Sequence, residues 1–215
     1  MSRIHRYAGE NVIVEFELGR CIHTGDCTAA LPAVFDTKRT GRWVHPDAAS
    51  AEQVAGVCAA CPTGALRCID KATGKPMHAA PSESTIQIIA DGPLYVHAEM
   101  KLNGEDEPTR RAALCRCGAS RLMPYCDNSH KACGFHDAGK VAAPEPGEAG
   151  VTGGLSIEPT PNGPLHIEGP FTLLDADGSA MCQSGEAWLC RCGGSQNKPY
   201  CDGSHKRIGF TSEEP

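Results

Sequence analysis

Two stretches of sequence decide the fold: CRCGASRLMPYCDNSH at residues 115–130 and CRCGGSQNKPYCDGSH at residues 190–205. Each contains a Cys-x-Cys pair, eight further residues, a third cysteine, three residues and a histidine. A matching block precedes each stretch, DGPLYVHAEMKL at residues 91–102 and NGPLHIEGPFTL at residues 162–173. The chain therefore contains an internal repeat, and each copy ends in a cysteine-rich loop.

The block before each cysteine-rich loop has the alternating pattern of a half-buried β-strand. In the first copy, the apolar side chains at every second position are Leu94, Val96, Ala98, Met100 and Leu102. In the second copy they are Leu165, Ile167, Phe171 and Leu173. A short insertion in the second copy falls in DADGSAMCQSG, where it fits the tip of a hairpin. We predict a small antiparallel sheet in each copy and a linker rich in Pro and Gly over residues 139–150.

The composition of the chain favours several small units held together by metal. The 215 residues include 24 Gly, 16 Pro and 13 Cys, and only 5% are aromatic. Small units bury little apolar surface and usually contain a metal or disulfides. The odd number of cysteines and the lack of an apolar signal segment favour free thiols in a reducing, cytoplasmic setting. No apolar run is long enough to span a bilayer, and the net charge of −6 argues against nucleic acid as a partner.

The repeated cysteines and histidines are candidate metal ligands: Cys115, Cys117, Cys126 and His130 in the first copy, and Cys190, Cys192, Cys201 and His205 in the second. One such quartet would be compatible with cysteines that are simply buried. Two quartets at identical spacing indicate metal binding. Zinc sites usually begin with two to four residues between the first cysteines, and here there is one. Spacing alone favours an iron–sulfur cluster and leaves zinc as the alternative.

The stretch from Cys190 to His205 resembles the signature of the CDGSH iron–sulfur domain family, the mitoNEET group. The resemblance occurs twice, over residues 86–136 and 157–211. It implies a [2Fe–2S] cluster in each copy, bound by the three cysteines and the histidine. Family members with two motifs act as monomers, so it also implies a monomer with internal pseudo-symmetry. The first copy departs from the signature at Asn128, where asparagine is the next best residue after glycine for a positive φ.

The histidine ligand implied by the resemblance changes the chemistry of the cluster. Three thiolates and a neutral imidazole leave an oxidised [2Fe–2S] cluster with about one negative charge instead of two. Its potential should therefore exceed that of an all-cysteine cluster. Because the imidazole also binds protons, acid should weaken the site. We expect Asp127 and Asp202 to cap the turn that orients this histidine, and Arg116 and Arg191 either to donate towards the thiolates or to face solvent.

A different pattern is found in the first eighty residues. Cys21, Cys27 and the Cys61-Pro62 pair resemble the ligand pattern of divergent single-cluster ferredoxin domains, over about residues 5–70. Thr24 stands where the ferredoxin run has its middle cysteine. The resemblance implies that these three cysteines bind a [3Fe–4S] or a [4Fe–4S] cluster.

A helix should carry the last of these cysteines, because Ser50 and Gln53 form a capping box and Pro62 ends the helical pattern. Cys58 lies on the same helical face as Cys61 and is a candidate fourth ligand; the alternatives are a core cysteine and a ferredoxin fold without a cluster. We interpret His23 as a loop residue.

The sequence therefore predicts an α+β protein: a ferredoxin-like domain over residues 1–80, then two β-rich CDGSH domains over residues 81–140 and 151–215. The leading hypothesis is a carrier that passes electrons to a redox protein or clusters to an apo iron–sulfur protein. The alternatives are a small redox enzyme component that uses the clusters and a zinc-binding interaction module. We expect a carrier rather than an enzyme, because the chain has no Ser-His-Asp set, nucleotide-binding glycine loop or paired-carboxylate motif. The redox partner and the direction of flow are not encoded in these patterns.

Overall fold

The computed structural model describes residues 3–77, 81–141 and 153–212. The chain is α+β, as predicted, and most of its regular structure is β-strand. It divides into two compact units, residues 1–80 and 81–215. The division into three domains stays a prediction, since both copies of the repeat lie in the second unit. Most of the predicted linker lies outside the described residues. Across the described ranges, no helix has the length and apolar character to cross a membrane.

The first unit is a three-stranded antiparallel sheet, in the order β1-β2-β3, with two short helices. In strand β2, alternate residues are buried because Val12, Val14 and Phe16 face the core. The elements of this unit are β1 (Ile4–Ala8), β2 (Val12–Glu17), α1 (Asp26–Ala30), α2 (Ala51–Ala59) and β3 (Leu66–Asp70).

Helix α2 begins at the predicted capping box. The hydroxyl of Ser50 accepts a hydrogen bond from the backbone N–H of Gln53 at 3.3 Å, and the Gln53 side chain accepts one from the N–H of Ser50 at 3.1 Å. These bonds satisfy two N–H groups that the first turn leaves without helical partners. On the inner face of the helix, Val54 and Cys58 are fully buried and pack in the same core as Cys68 of β3.

The second unit contains an eight-stranded sheet and one short helix. The strand order is β7-β6-β9-β10-β4-β5-β8, and β11 pairs with β10. The strands are β4 (Thr85–Ile88), β5 (Leu94–His97), β6 (Met100–Leu102), β7 (Glu105–Asp106), β8 (Arg111–Leu114), β9 (Leu155–Pro159), β10 (Leu165–Leu174) and β11 (Ala180–Leu189), and the helix is α3 (Ser204–Arg207).

The two copies of the repeat exchange strands within this sheet. β6 of the first copy pairs in parallel with β9 of the second, and β4 of the first pairs in parallel with β10 of the second. All other pairings between strands of this sheet are antiparallel. Strands of each copy therefore have hydrogen-bonding partners in the other copy, and neither copy forms its part of the sheet alone.

The predicted inward-facing residues of both copies are buried in one core. In the first copy, the alternating run is divided between two strands, since β5 ends at His97 and β6 begins at Met100. In the second copy, the single long strand β10 covers the same stretch and has a register shift between Glu168 and Phe171. The insertion lies at the turn between β10 and β11, as predicted. There the buried carboxylate of Asp175 accepts hydrogen bonds from the backbone N–H groups of Asp177 and Ser179.

We predict that a fragment of residues 81–215 folds by itself, because the sheet and core of the second unit are complete within that unit. A matched fragment of residues 81–150 should not fold, because β4 and β6 lose their partners β10 and β9. Circular dichroism during thermal unfolding distinguishes the two, with a cooperative transition expected for the longer fragment alone. A cooperative transition in the shorter fragment would contradict the importance of strand exchange.

Candidate metal centres

Strands β8 and β11 each lead directly into a cysteine-rich loop, and backbone hydrogen bonds hold that loop against its strand. In the first copy, the N–H of Cys115 donates to the carbonyl of Pro124 at 2.9 Å, and the N–H of Cys126 donates to the carbonyl of Ala113 at 2.8 Å. The second copy repeats both bonds, at 2.7 and 2.8 Å. The first and third cysteines of each quartet are therefore placed side by side by the backbone.

The four candidate ligands of each quartet meet as two pairs. In the first quartet, the Sγ atoms of Cys115 and Cys117 are 3.7 Å apart, and the Sγ of Cys126 is 3.4 Å from Nδ1 of His130. The corresponding distances in the second quartet are 3.7 and 3.3 Å. Two sulfur ligands on one tetrahedral metal, each at about 2.3 Å, lie about 3.8 Å apart. Each pair therefore has the spacing of two ligands on the same metal, and each imidazole presents Nδ1.

The pKa values of the cysteines in a quartet depend on one another. The hydrogen bond with Cys117 lowers the pKa of Cys115 to about 6, and the same contact raises the pKa of Cys117. Burial, together with the smaller effect of the negative charge of Cys115, raises the pKa of Cys126 to about 11. The shifts in the second quartet have the same directions. In each quartet, one thiol ionises easily and its negative charge opposes ionisation of the others. A bound cation would remove this opposition and stabilise all three thiolates, so this donor set fits a metal centre.

Among the residues that the structure describes, no three Cys, His, Asp or Glu side chains lie close enough together to hold one metal ion.

The expected role of the two aspartates before the histidines is confirmed. One carboxylate oxygen of Asp127 accepts the N–H of Ser129 at 2.9 Å, and the other accepts the N–H of Arg121 at 3.0 Å. Asp202 makes the same two contacts in the second copy, both at 2.9 Å. Hydrogen bonds, led by the one from the Ser204 side chain, hold the pKa of Asp202 well below its usual range. Each aspartate thus ties the histidine turn to the middle of its loop.

The arginine between the first two cysteines does not face solvent, and it donates to backbone carbonyls of the preceding Gly-Pro block. Arg116 is buried, and its guanidinium donates to the carbonyl of Gly92 at 2.9 Å and to Asp137 at 2.7 Å. Arg191 is fully buried and donates to the carbonyl of Gly163 at 3.0 Å. Each guanidinium also lies over a phenylalanine ring. The Gly-Pro pair recurs in the sequence of both copies, but only the structure shows that these arginines are hydrogen-bonded to its glycine carbonyl.

The two cysteine-rich loops contact each other through their second cysteines. Cys117 and Cys192 form an isolated antiparallel bridge. A Cβ atom on Gly118 would lie 2.6 Å from the carbonyl oxygen of Cys192, and one on Gly193 would lie 2.8 Å from that of Cys117. Both glycines also have a positive φ, +77° and +78°. Each loop therefore leaves room for the backbone of a ligand in the other loop.

In the first unit, Cys21, Cys27 and Cys61 line one cavity of about 660 Å³, named here the three-cysteine cavity. Burial raises the pKa of Cys21 and of Cys27, and the charge of Cys61 raises both further. Cys58 does not line this cavity. It lies in the core, where its hydrogen bond with Cys68 lowers the pKa of Cys68. The structure thus brings together the three predicted cysteines and leaves Cys58 as a core residue.

The fold and these centres define a protein with iron–sulfur binding domains. The family described as "Iron-binding zinc finger CDGSH type" matches residues 91–131 and 162–206, and the family described as "Divergent 4Fe-4S mono-cluster" matches residues 7–71. The uncharacterized protein YjdI of Escherichia coli strain K12 and its counterpart in strain O157:H7 are each 36% identical over 61 residues, which are 28% of this chain and 79% of the relative. The chain belongs to the CDGSH family, with two copies of the motif and an N-terminal divergent mono-cluster domain.

We predict that Gly118→Ala lowers the free energy of unfolding of the second unit by about 1–3 kcal/mol more than Gly134→Ala. Both positions have a positive φ, so both variants have the same conformational cost, but only the first introduces a clash. Gly193→Ala should likewise exceed Gly209→Ala, whose Cβ would have open space. Urea unfolding measures these differences, and equal effects within a matched pair would show that the loops do not depend on each other.

Proposed function

We propose that the second unit binds two [2Fe–2S] clusters, each through three cysteines and one histidine, and that the first unit binds a [3Fe–4S] or [4Fe–4S] cluster. The observation that carries this proposal is the pairing of the ligands. A two-iron cluster takes two ligands on each iron, as the pairs Cys115–Cys117 and Cys126–His130 would supply. A zinc ion would take all four ligands at one point.

Two features of the structure favour the protonation states in which these side chains bind metal. Backbone N–H groups two residues further along donate to the ligand sulfurs, from Ala119 to Cys117 and from Asn128 to Cys126, both at 3.4 Å. Such bonds stabilise the negative charge of a thiolate. Burial, assisted by the charge of neighbouring cations, lowers the pKa of His130, which favours the neutral imidazole that binds metal.

A cluster with one imidazole ligand can accept and release an electron, and it is held by one bond weaker than the rest. We therefore propose that the chain carries electrons to a redox protein or clusters to an apo iron–sulfur protein. His130 and His205 would be the ligands through which acid or an acceptor opens the site. We also propose that the chain acts as a monomer, because the exchanged strands of the two copies already pair with each other.

We predict about four irons and four acid-labile sulfides per chain from the two quartets, and about three or four irons more from the first unit. Cys126→Ser should remove about two of these irons, because it removes a ligand. Cys133→Ser is the matched control, since Cys133 is exposed in the same loop region and belongs to neither ligand pair. Metal and sulfide analysis measures the outcome. Stoichiometric zinc without sulfide would contradict the proposal.

We predict that His205→Cys lowers the midpoint potential of one cluster by on the order of 100 mV, because a further negative ligand opposes reduction. The double variant with His130→Cys should shift both clusters, and it should lose visible absorbance more slowly in acid because protons no longer compete for an imidazole. His136→Cys is the control, since this exposed histidine is in neither quartet. Unchanged potentials and acid decay in the double variant would show that these histidines are not ligands.

A further inference from the structure

A fourth ligand is missing from the set of cysteines that face the three-cysteine cavity. A [4Fe–4S] cluster takes one ligand on each of its four irons, whereas Cys21, Cys27 and Cys61 supply three. Cys58 is turned into the core and does not line the cavity. Thr24 lines the cavity, but a hydroxyl is a weak ligand for iron beside an imidazole. A side chain with a better donor is therefore expected at the wall.

The imidazole of His23 is such a donor. His23 lines the cavity, and its Nδ1 is 3.6 Å from the Sγ of Cys21, so the imidazole faces the same space as that thiol. Four side chains of the kinds that bind iron therefore line this cavity, Cys21, His23, Cys27 and Cys61, which is the number of ligands that a four-iron cluster takes.

The backbone around His23 also matches the ligand loops of the second unit. Its N–H donates to the Sγ of Cys21 at 3.4 Å. The sulfurs of Cys117, Cys126 and Cys192 likewise accept a hydrogen bond from the N–H two residues further along the chain. His23 has a φ of +50°, in the left-handed region where histidine, asparagine and aspartate occur more often than most other residues with a side chain.

We propose that His23 is the fourth ligand of the cluster in the first unit, so that this site holds a [4Fe–4S] cluster through three cysteines and one histidine. This inference rests on the proposed iron–sulfur site in that unit. It replaces the interpretation of His23 as a loop residue and assigns the imidazole to the iron that the three cysteines do not hold.

The test compares His23→Asn with the parent chain, because asparagine keeps the positive φ and removes the imidazole. Both proteins are purified anaerobically and treated with ferricyanide. Loss of the fourth iron then follows [4Fe–4S]²⁺ → [3Fe–4S]⁺ + Fe²⁺ + e⁻, with ferricyanide taking the electron. The product has an unpaired electron, whereas oxidised two-iron and four-iron clusters give no electron paramagnetic resonance signal. Controls are His23→Cys, which retains a ligand, and Asp26→Asn, which removes another polar side chain of the same cavity.

We expect about eight irons per parent chain. His23→Asn should gain the three-iron signal at least about tenfold faster than the parent and lose about one iron, whereas both controls should behave as the parent. Equal rates in His23→Asn and the parent, or the same loss in Asp26→Asn, would overturn the assignment of His23. A parent with about seven irons and a signal before oxidation would overturn it too, while leaving the proposed cluster site intact. A parent with about four irons would remove the site and the inference together.

Discussion

The pair of backbone hydrogen bonds that returns each cysteine-rich loop to its own strand is the interaction on which the second unit depends. A loop of sixteen residues has no core of its own, and its candidate ligands approach one another because Cys126 is hydrogen-bonded to Ala113 of β8, the strand that leads into Cys115. Further contacts hold the remainder of the loop. The aspartate carboxylate ties the histidine turn to the loop, and the arginine ties the first two cysteines to the preceding Gly-Pro turn. The pairing of the candidate ligands is thus determined mainly by backbone hydrogen bonds and by hydrogen bonds of buried charged side chains.

Strand exchange joins the two centres into one structure. β6 and β4 of the first copy complete the sheet of the second, and the glycines beside the second cysteines make room for each other's ligand backbone. Because the backbones of the two loops are in direct contact, we expect a change in the conformation of one loop to affect the other. If the chain binds two clusters as proposed, we expect the occupancy of one site to affect the stability of the other.

Much of the site could be predicted from the sequence because the same spacing of cysteines and histidine occurs twice. Spacing alone identified both quartets, and the alternation of Leu94 to Leu102 identified the buried face of the strand. The exchange of strands could not be predicted, because pairing between β6 and β9 is a long-range choice that leaves no local period. The role of Arg191 was open because its partners are backbone carbonyls, which have no sequence signal. The direction of the His23 imidazole could not be predicted, because it depends on a positive φ that the sequence does not reveal.

We propose that each quartet holds a two-iron cluster in which one ligand is a histidine. The most direct measurement is pulsed electron paramagnetic resonance of the reduced full-length chain, at a temperature where only two-iron clusters give a signal, with ¹⁴N- and ¹⁵N-labelled histidine. We expect a strong coupling to a directly bound histidine nitrogen, which changes with the isotope and disappears when His130 and His205 are both replaced by cysteine. A two-iron signal without such coupling, or a chain that gives no cluster signal and contains zinc, would contradict it.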